Sequence, residues 1–441
     1  MTNPTRTTFV RSTLLSILLL ALCVAPAFTQ APGTPDLSFG DSGMVRTPVW
    51  PGYGQGLFDL LVQPDGKIIA VGYLWVNGGD LQHRFLLVRY NENGSLDTTF
   101  GTEGVSAIWF GGEAKARSAA ILTDGKILVI GEFQGNIAIA RYNTNGTLDP
   151  SFGVGGLVTK DLADPGEISN DIPNKIIVRP DGKFLVVAVK SVYSSGGTSP
   201  EGRSAIIITG HNSDGSLDDS FGLNGVAKKS LWLAVNVVWH VFEGIDGSIF
   251  VHGYGKSAAN LANPFETPIV DYFIQKFTST GYPAINFGKR GTLRFFDTAL
   301  HKIIKILPNR QMLVSQWNKL LLYNNNGSYQ GEIIAGNEVT INGIRFWPRD
   351  FMIQDDGKII SAGILPPGSG RAFVRYLSNG AIDTTFGNNG ISSANPAFSP
   401  QEGLIFKLLP DGKILGAGVT PNNPFPIVLV RHLGDSNLLR R

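Results

Sequence analysis

A short apolar run ending in an Asp-Gly turn returns along the whole of this chain, and it narrows the possible folds more than any other feature. The turn stands at Asp65-Gly66-Lys67, Asp124-Gly125-Lys126, Asp181-Gly182-Lys183, Asp246-Gly247-Ser248, Asp356-Gly357-Lys358 and Asp411-Gly412-Lys413. A degenerate copy, Asn309-Arg310-Gln311, fills the remaining gap. Neighbouring copies lie 47 to 65 residues apart, and residues 28–441 shared among seven units give about 59 each. A period in this range makes each unit one supersecondary element that buries its faces only against its neighbours.

Every copy follows one grammar. In the first, residues 58–63 lead to Pro64-Asp65-Gly66, residues 67–72 follow, a variable loop intervenes, and residues 85–90 come next. Residues 93–101, Asn-Gly-Ser-Leu-Asp-Thr-Thr-Phe-Gly, close the unit before a last β-rich stretch near residues 105–108. Short β-branched and aromatic runs bounded by Asp-Gly and Asn-Gly turns form antiparallel hairpins. The expected fold is all-β: a seven-bladed β-propeller with four antiparallel strands per blade. Residues 36–43 match the closing half of a unit, and the seventh copy ends near Arg431-His432 without one. The N-terminal strand should therefore complete the last blade and close the ring.

Residues 62–68 (Val-Gln-Pro-Asp-Gly-Lys-Ile), Arg141-Tyr142-Asn143 with residues 145–149, and residues 383–387 (Asp-Thr-Thr-Phe-Gly) carry a family resemblance. In these words the chain resembles the delta-60 repeat proteins, a bacterial family of β-propeller-like repeats. The resemblance covers essentially everything after the first thirty residues; it implies the propeller and is silent on activity. The fifth copy departs most, because Asn326-Gly327-Ser328-Tyr329 lacks the Leu-Asp-x-x-Phe-Gly ending.

The first thirty residues read as an address. Arg6 and Arg11 precede an apolar run over residues 14–24, and Ala25-Pro26-Ala27 has small residues where a signal peptidase needs them. Residues 1–27 are expected to be a signal peptide, leaving residues 28–441 as a single propeller domain exported to the periplasm, cell surface or outside. The run falls short of the roughly 20 residues that span a bilayer, so no transmembrane anchor is expected after cleavage. Cys23, the one cysteine, lies inside that run, and Leu22 before it disfavours lipoprotein processing. With no thiol chemistry left, stability must come from burial. Lys+Arg 37 against Asp+Glu 35 gives a net charge of +2, which offers no electrostatic footprint for nucleic acid.

Because both turns of a unit join strands at the same end, the loops between second and third strands share the opposite face. Those loops vary: residues 73–84, 190–203 and 254–267 differ in length and composition. Variable loops on a rigid scaffold are where recognition concentrates. The innermost strand of each blade precedes its Asp-Gly turn. Six residues before each turn stand Asp59, Ser118, Lys175, His240 and Asp350, with Ile303 and Ile405 in the two other copies; one residue earlier come Arg117, Asn174, Trp239, Lys302 and Arg349. Unlike residues at equivalent positions suggest a shaped site at the channel mouth. The candidate binding residues are thus Asp59, Arg117, Asn174, Lys175, Trp239, His240, Lys302, Arg349 and Asp350.

Asp59, Asp350, His240 and Lys175 have the chemistry for acid, base and charge stabilisation, but no motif specifies a nucleophile. The six histidines show no paired-ligand spacing. The Asn-x-Asn-Gly-x-x-Asp words offer one carboxylate each (Asp97, Asp149, Asp383), fewer than calcium loops use. No cofactor or metal is expected. Arg89 with Asp97, Arg141 with Asp149, Arg375 with Asp383, and Arg431 with Asp36 recur as pairs and are expected to be structural salt bridges. The expected function is a binding scaffold for a glycan, small molecule or envelope protein. The alternatives are an extracellular hydrolase or lyase using the channel mouth, and a structural envelope component.

Overall fold

The computed structural model describes residues 30–435 apart from 50–52, 77–82, 166, 194–199, 232, 258–269, 296–300, 308, 317–318, 336–338, 342–343, 366–370, 395–404 and 420–425. The expected signal peptide lies outside the described residues.

Each Asp-Gly word makes a tight turn for a stated reason. The aspartate carboxylate accepts the amide two residues ahead, at 3.2 Å for Lys67 and 3.0 Å for Lys126. Gly66 and Gly125 both take a φ of 80°, which favours glycine. The flanking runs then pair. Blade 1 consists of Tyr53–Val62, Ile68–Val76, His83–Tyr90 and Val105–Ile108, hydrogen-bonded in that order and antiparallel throughout. Six further four-stranded sheets repeat it, so the protein is a seven-bladed β-propeller, with no helix among the described residues. Blade 5 forms its outer strand, Tyr329–Ala335, despite the missing motif, and the pairing shows it: the register with Lys319–Tyr323 slips twice. A two-stranded hairpin, Thr340–Ile341 with Ile344–Arg345, stands between blades 5 and 6.

A blade in a ring is buried on both faces, so its middle strands are apolar on both. Ile68, Ile69, Ala70 and Val71 are all buried; Ile68 and Ala70 pack toward blade 7, Ile69 and Val71 toward blade 2. The main apolar clusters correspond to the seven junctions between neighbouring blades.

On the turn face the recurrent ion pair clasps four of the junctions, through Arg89–Asp97, Arg141–Asp149, Arg375–Asp383 and Arg431–Asp36. Arg89 Nε reaches Asp97 at 2.8 Å, its guanidinium lies 4.4 Å from the centre of the Phe100 ring, and Nη1 donates to the Thr144 carbonyl of blade 2. Lys67, the lysine of Asp-Gly-Lys, meets the same Asp97 at 3.1 Å. Arg141, Asp149, Phe152 and Lys126 repeat this arrangement, with Arg141 donating to the Ser213 carbonyl of blade 3 at 2.6 Å. Blade 3 has Gly210 where an arginine would stand. Arg179, just after its first strand Ile168–Val178, supplies a guanidinium instead, donating to the Ser279 carbonyl of blade 4 at 2.8 Å and meeting Glu243 at 3.3 Å, with the Phe221 ring 5.8 Å away.

The ring closes as expected. Met44–Thr47 pairs with Ile427–His432 as the fourth strand of blade 7, and Arg431 meets Asp36 at 2.8 Å. The closure also splits a turn between the two ends of the described chain. Gly33 donates to the Leu433 carbonyl at 2.7 Å and Leu433 to Thr34 at 2.9 Å, as Gly146 and Asn143 do within one continuous turn of blade 2.

Candidate functional site

The geometry of the channel follows from a β-bulge. In blades 1 to 4 and 6 the first strand skips the residue seven before the turn: Phe58, Arg117, Asn174, Trp239 and Arg349. The next residue then pairs at one common register, Asp59 with Val71, Ser118 with Ile130, Lys175 with Val187, His240 with His252 and Asp350 with Ala362. In blade 5 the slip sits two residues nearer the turn, between Ile303 and Lys305, so Lys302 rather than Ile303 pairs at that register, with Ser315. A bulge shifts which residue stands at a given register, so Lys302 occupies the register that direct counting assigned to Ile303.

The ring positions converge on Asp59, which is only 6% exposed. Its Oδ2 accepts from Ser118 Oγ at 2.9 Å, from the Ala119 amide at 3.2 Å and from Lys175 Nζ at 3.3 Å. Its Oδ1 accepts the Leu60 amide at 2.9 Å and lies 3.7 Å from Lys407 Nζ. Burial drives this carboxyl upward, but the two ammonium groups and the hydrogen bonds outweigh it and hold Asp59 below the usual carboxylate range. Lys407 goes down, first through burial and also through Lys175, against the pull of Asp59 and Asp350. One buried carboxylate thus ties residues from blades 1, 2, 3 and 7 together across the channel. Lys407 was not among the expected residues, because it stands four before its turn rather than six.

The other expected residues do different things. Arg117 pairs with Glu132 of its own blade, Nε to Oε1 at 2.7 Å, and lies 4.3 Å from the Phe58 ring of blade 1. Asn174 donates to the Val238 carbonyl of blade 4 at 2.9 Å. Both stitch neighbouring blades. Trp239 packs on Tyr254 with ring centres 4.6 Å apart, and His240 stacks near His252 at 6.3 Å. Asp350 takes the Phe351 amide at 2.8 Å and contributes to the field at Lys407.

The loop face carries aromatic surface. Phe58, Tyr73 and Trp75 form a stack with centres 5.6 and 5.7 Å apart, and Lys115 lies 5.7 Å from the Tyr73 ring. His83 beside them contacts Glu113 at 3.1 Å. Trp109 and Trp347, at strand ends on the same face, are 49% and 41% exposed. Trp50, Trp232 and Trp317 stand in the sequence between strands joined on that face and lie outside the described residues. No tryptophan of the chain occurs in an Asp-Gly or Asn-Gly turn. The opposite face exposes aliphatic side chains such as Val154, Leu223 and Ile285, together with Tyr282 and Tyr329 but no tryptophan among the described residues. Of the variable loops, residues 77–82, 194–199 and 258–267 are outside the described residues.

Comparison with known proteins agrees with this architecture. A family model described as a domain of unknown function (DUF5122) beta-propeller matches residues 63–100, 122–152 and 354–386, which belong to blades 1, 2 and 6 and support a β-propeller repeat family. No curated protein matches the chain. Among solved structures, a catalytically inactive virginiamycin B lyase from Staphylococcus aureus with quinupristin is 13% identical, over 88% of this chain and 98% of that one, with a TM-score of 0.43. Prolyl oligopeptidase B from Galerina marginata is 10% identical over 85% of this chain and 48% of that one, with a TM-score of 0.44. Drosophila semaphorin 1a extracellular domains are 9% identical over 74% and 87%, at 0.33. These likenesses carry no argument about activity.

Proposed function

We propose that this chain is an exported member of the delta-60 repeat proteins that serves as a binding scaffold, engaging its ligand or protein partner with the loop face. The observation that carries the reading is the one-sided placement of tryptophan: exposed Trp109 and Trp347 and the Phe58-Tyr73-Trp75 stack all belong to the face that bears the variable loops. Tryptophan, tyrosine and arginine dominate the energetics of recognition surfaces because each buries a large rigid area while keeping a polar handle. In the channel beneath, Asp59 spends both oxygens on partners inside the protein.

The same asymmetry supplies the test. Trp109 and Trp347, the most exposed tryptophans among the described residues, lie on this face, so titration with soluble extracellular glycans, peptides and envelope extracts should change intrinsic tryptophan emission for a true ligand. The double variant Trp109→Ala/Trp347→Ala should weaken that ligand at least tenfold with the melting temperature retained. A ligand that binds without altering emission and ignores both substitutions refutes the reading.

A further inference from the structure

On the turn face, between blades 4 and 5, the clasp is incomplete in a specific way. Lys276 stands where blades 1 and 2 have Arg89 and Arg141, Ala284 where they have Asp97 and Asp149, and Asn286 where they have Thr99 and Ser151. The backbone is unchanged: the Ala284 amide donates to the Lys276 carbonyl at 2.9 Å, as that of Asp149 does to Arg141 at 2.8 Å. A cation and a phenyl ring remain, and the carboxylate between them has been deleted.

The deletion opens a cavity of about 390 Å³ lined by Lys276, Ala284, Phe287 and six asparagine and glutamine residues, among them Asn286, Gln311 and Asn325. Lys276 is 7% exposed, lies 4.8 Å from the centre of the Phe250 ring and donates to Asn325 Oδ1 at 2.5 Å. Among the described residues it makes no ion pair; Asp246 and Arg310 are the charged groups that act on it, and they sit 3.9 Å from each other. The local balance is two cations to one anion. Burial lowers the affinity of Lys276 for its proton, and Arg310 lowers it further against Asp246. A buried ammonium in that position is stabilised by an incoming carboxylate, which is what the other repeats build in covalently. The cavity volume is that of a small-molecule site, and amides recognise hydroxyl groups as donor and acceptor at once.

We propose that the cavity between blades 4 and 5 binds a small polyhydroxylated carboxylate of the sugar-acid class. Its carboxylate takes the place of the deleted aspartate against Lys276, and its hydroxyls bond to the surrounding amides. The site lies on the face opposite Trp109 and Trp347 and stands independently of the loop-face reading.

Isothermal titration of the full chain with glucuronate and galacturonate, against glucose and galactose, tests it. At least one acid should bind, and its neutral counterpart should bind at least tenfold more weakly. Ala284→Asp rebuilds the repeat's own carboxylate, so it should abolish binding without lowering the melting temperature. Lys276→Met should weaken binding at least tenfold, and Trp109→Ala/Trp347→Ala should leave it intact. The proposal is overturned by silence of both acids at millimolar concentration, by equal binding of the neutral sugars, or by binding that Ala284→Asp leaves unchanged.

Discussion

The junction between blades 1 and 2 and the junction between blades 4 and 5 share one backbone and have opposite chemistry. In the first, Arg89, Asp97 and Lys67 satisfy one another over the Phe100 ring, and the guanidinium also grips the next blade. In the second, Lys276 keeps its place, but Ala284 offers it nothing and a cavity opens. Blade 3 shows that departure from the repeat does not by itself create a site. There the missing arginine is replaced in space by Arg179, and Phe221 lies against Gly210 so closely that a Cβ on that glycine would come within 2.7 Å of the phenylalanine's Cβ. A compensated change restores the grip on the next blade's carbonyl, with Lys183 left to pair Asp218, whereas an uncompensated one leaves an unfilled space beside a buried charge. In a repeat ring, binding chemistry is to be sought where a deletion has not been repaired.

Four experiments would break or sharpen this contrast. The largest effect should come from removing closure altogether. A chain starting at residue 48 loses Asp36 and the outer strand Met44–Thr47, exposing Ile427–His432 as an open edge. Calorimetry should show the melting temperature down by roughly 10 °C or more, or no single cooperative transition. An unchanged melting curve would mean the ring does not depend on its closing strand.

Next, Arg141→Ala should cost about 2–3 kcal/mol in urea denaturation, because it removes a charge-assisted bond to a buried carboxylate, leaving Lys126 as its cation, together with the grip on the next blade. Lys276→Ala should cost only about 1 kcal/mol, a typical hydrogen-bond contribution, with no carboxylate left behind. Equal losses at the two positions would erase the distinction between the junctions.

The pH dependence should follow the intact clasps. Asp36, Asp97, Asp149 and Asp383 are pushed upward by burial, but hydroxyl and backbone hydrogen bonds with the lysine and arginine partners overcome this and hold them low. A carboxyl group with a lower pKa folded than unfolded stabilises the protein above its unfolded value of about 4, and that contribution is lost as pH falls through the folded value. Melting temperature should therefore drop progressively below about pH 4. Asp149→Asn should flatten that acid limb, while Lys276→Met should leave its slope alone. An Asp149→Asn variant as acid-sensitive as the parent would refute the assignment.

The smallest effect concerns the repair in blade 3. Arg179→Ala should cost about 1–2 kcal/mol, as expected for a charge-assisted hydrogen bond at a partly covered site. Arg290→Ala, at an exposed position, should change stability by less than about 0.5 kcal/mol. If the two behave alike, Arg179 is not standing in for the missing clasp.

Much of this architecture was legible in the chain before any coordinates. Turn chemistry is local: an aspartate bonding two residues ahead and a glycine at positive φ need no distant partner, so the seven units could be counted. The Arg–Asp clasps follow too, because both members recur at a fixed interval within one unit, and repetition makes a structural role visible. Closure by the N-terminal strand could be read from residues 36–43, a half-unit that completes the one left open near Arg431-His432.

What the tertiary structure alone decided is where unlike residues meet. Counting back from a turn cannot detect a bulge. The ring position in blade 5 therefore passed from Ile303 to Lys302, while Arg117 and Asn174 became inter-blade stitches. Lys407 and Arg179 reach the channel and the clasp from positions that no repeat rule marks, because long side chains on neighbouring blades meet across space. Repetition determines what every blade shares. The convergence of seven blades on one axis, and the space left where one side chain is missing, arise only when the ring is closed.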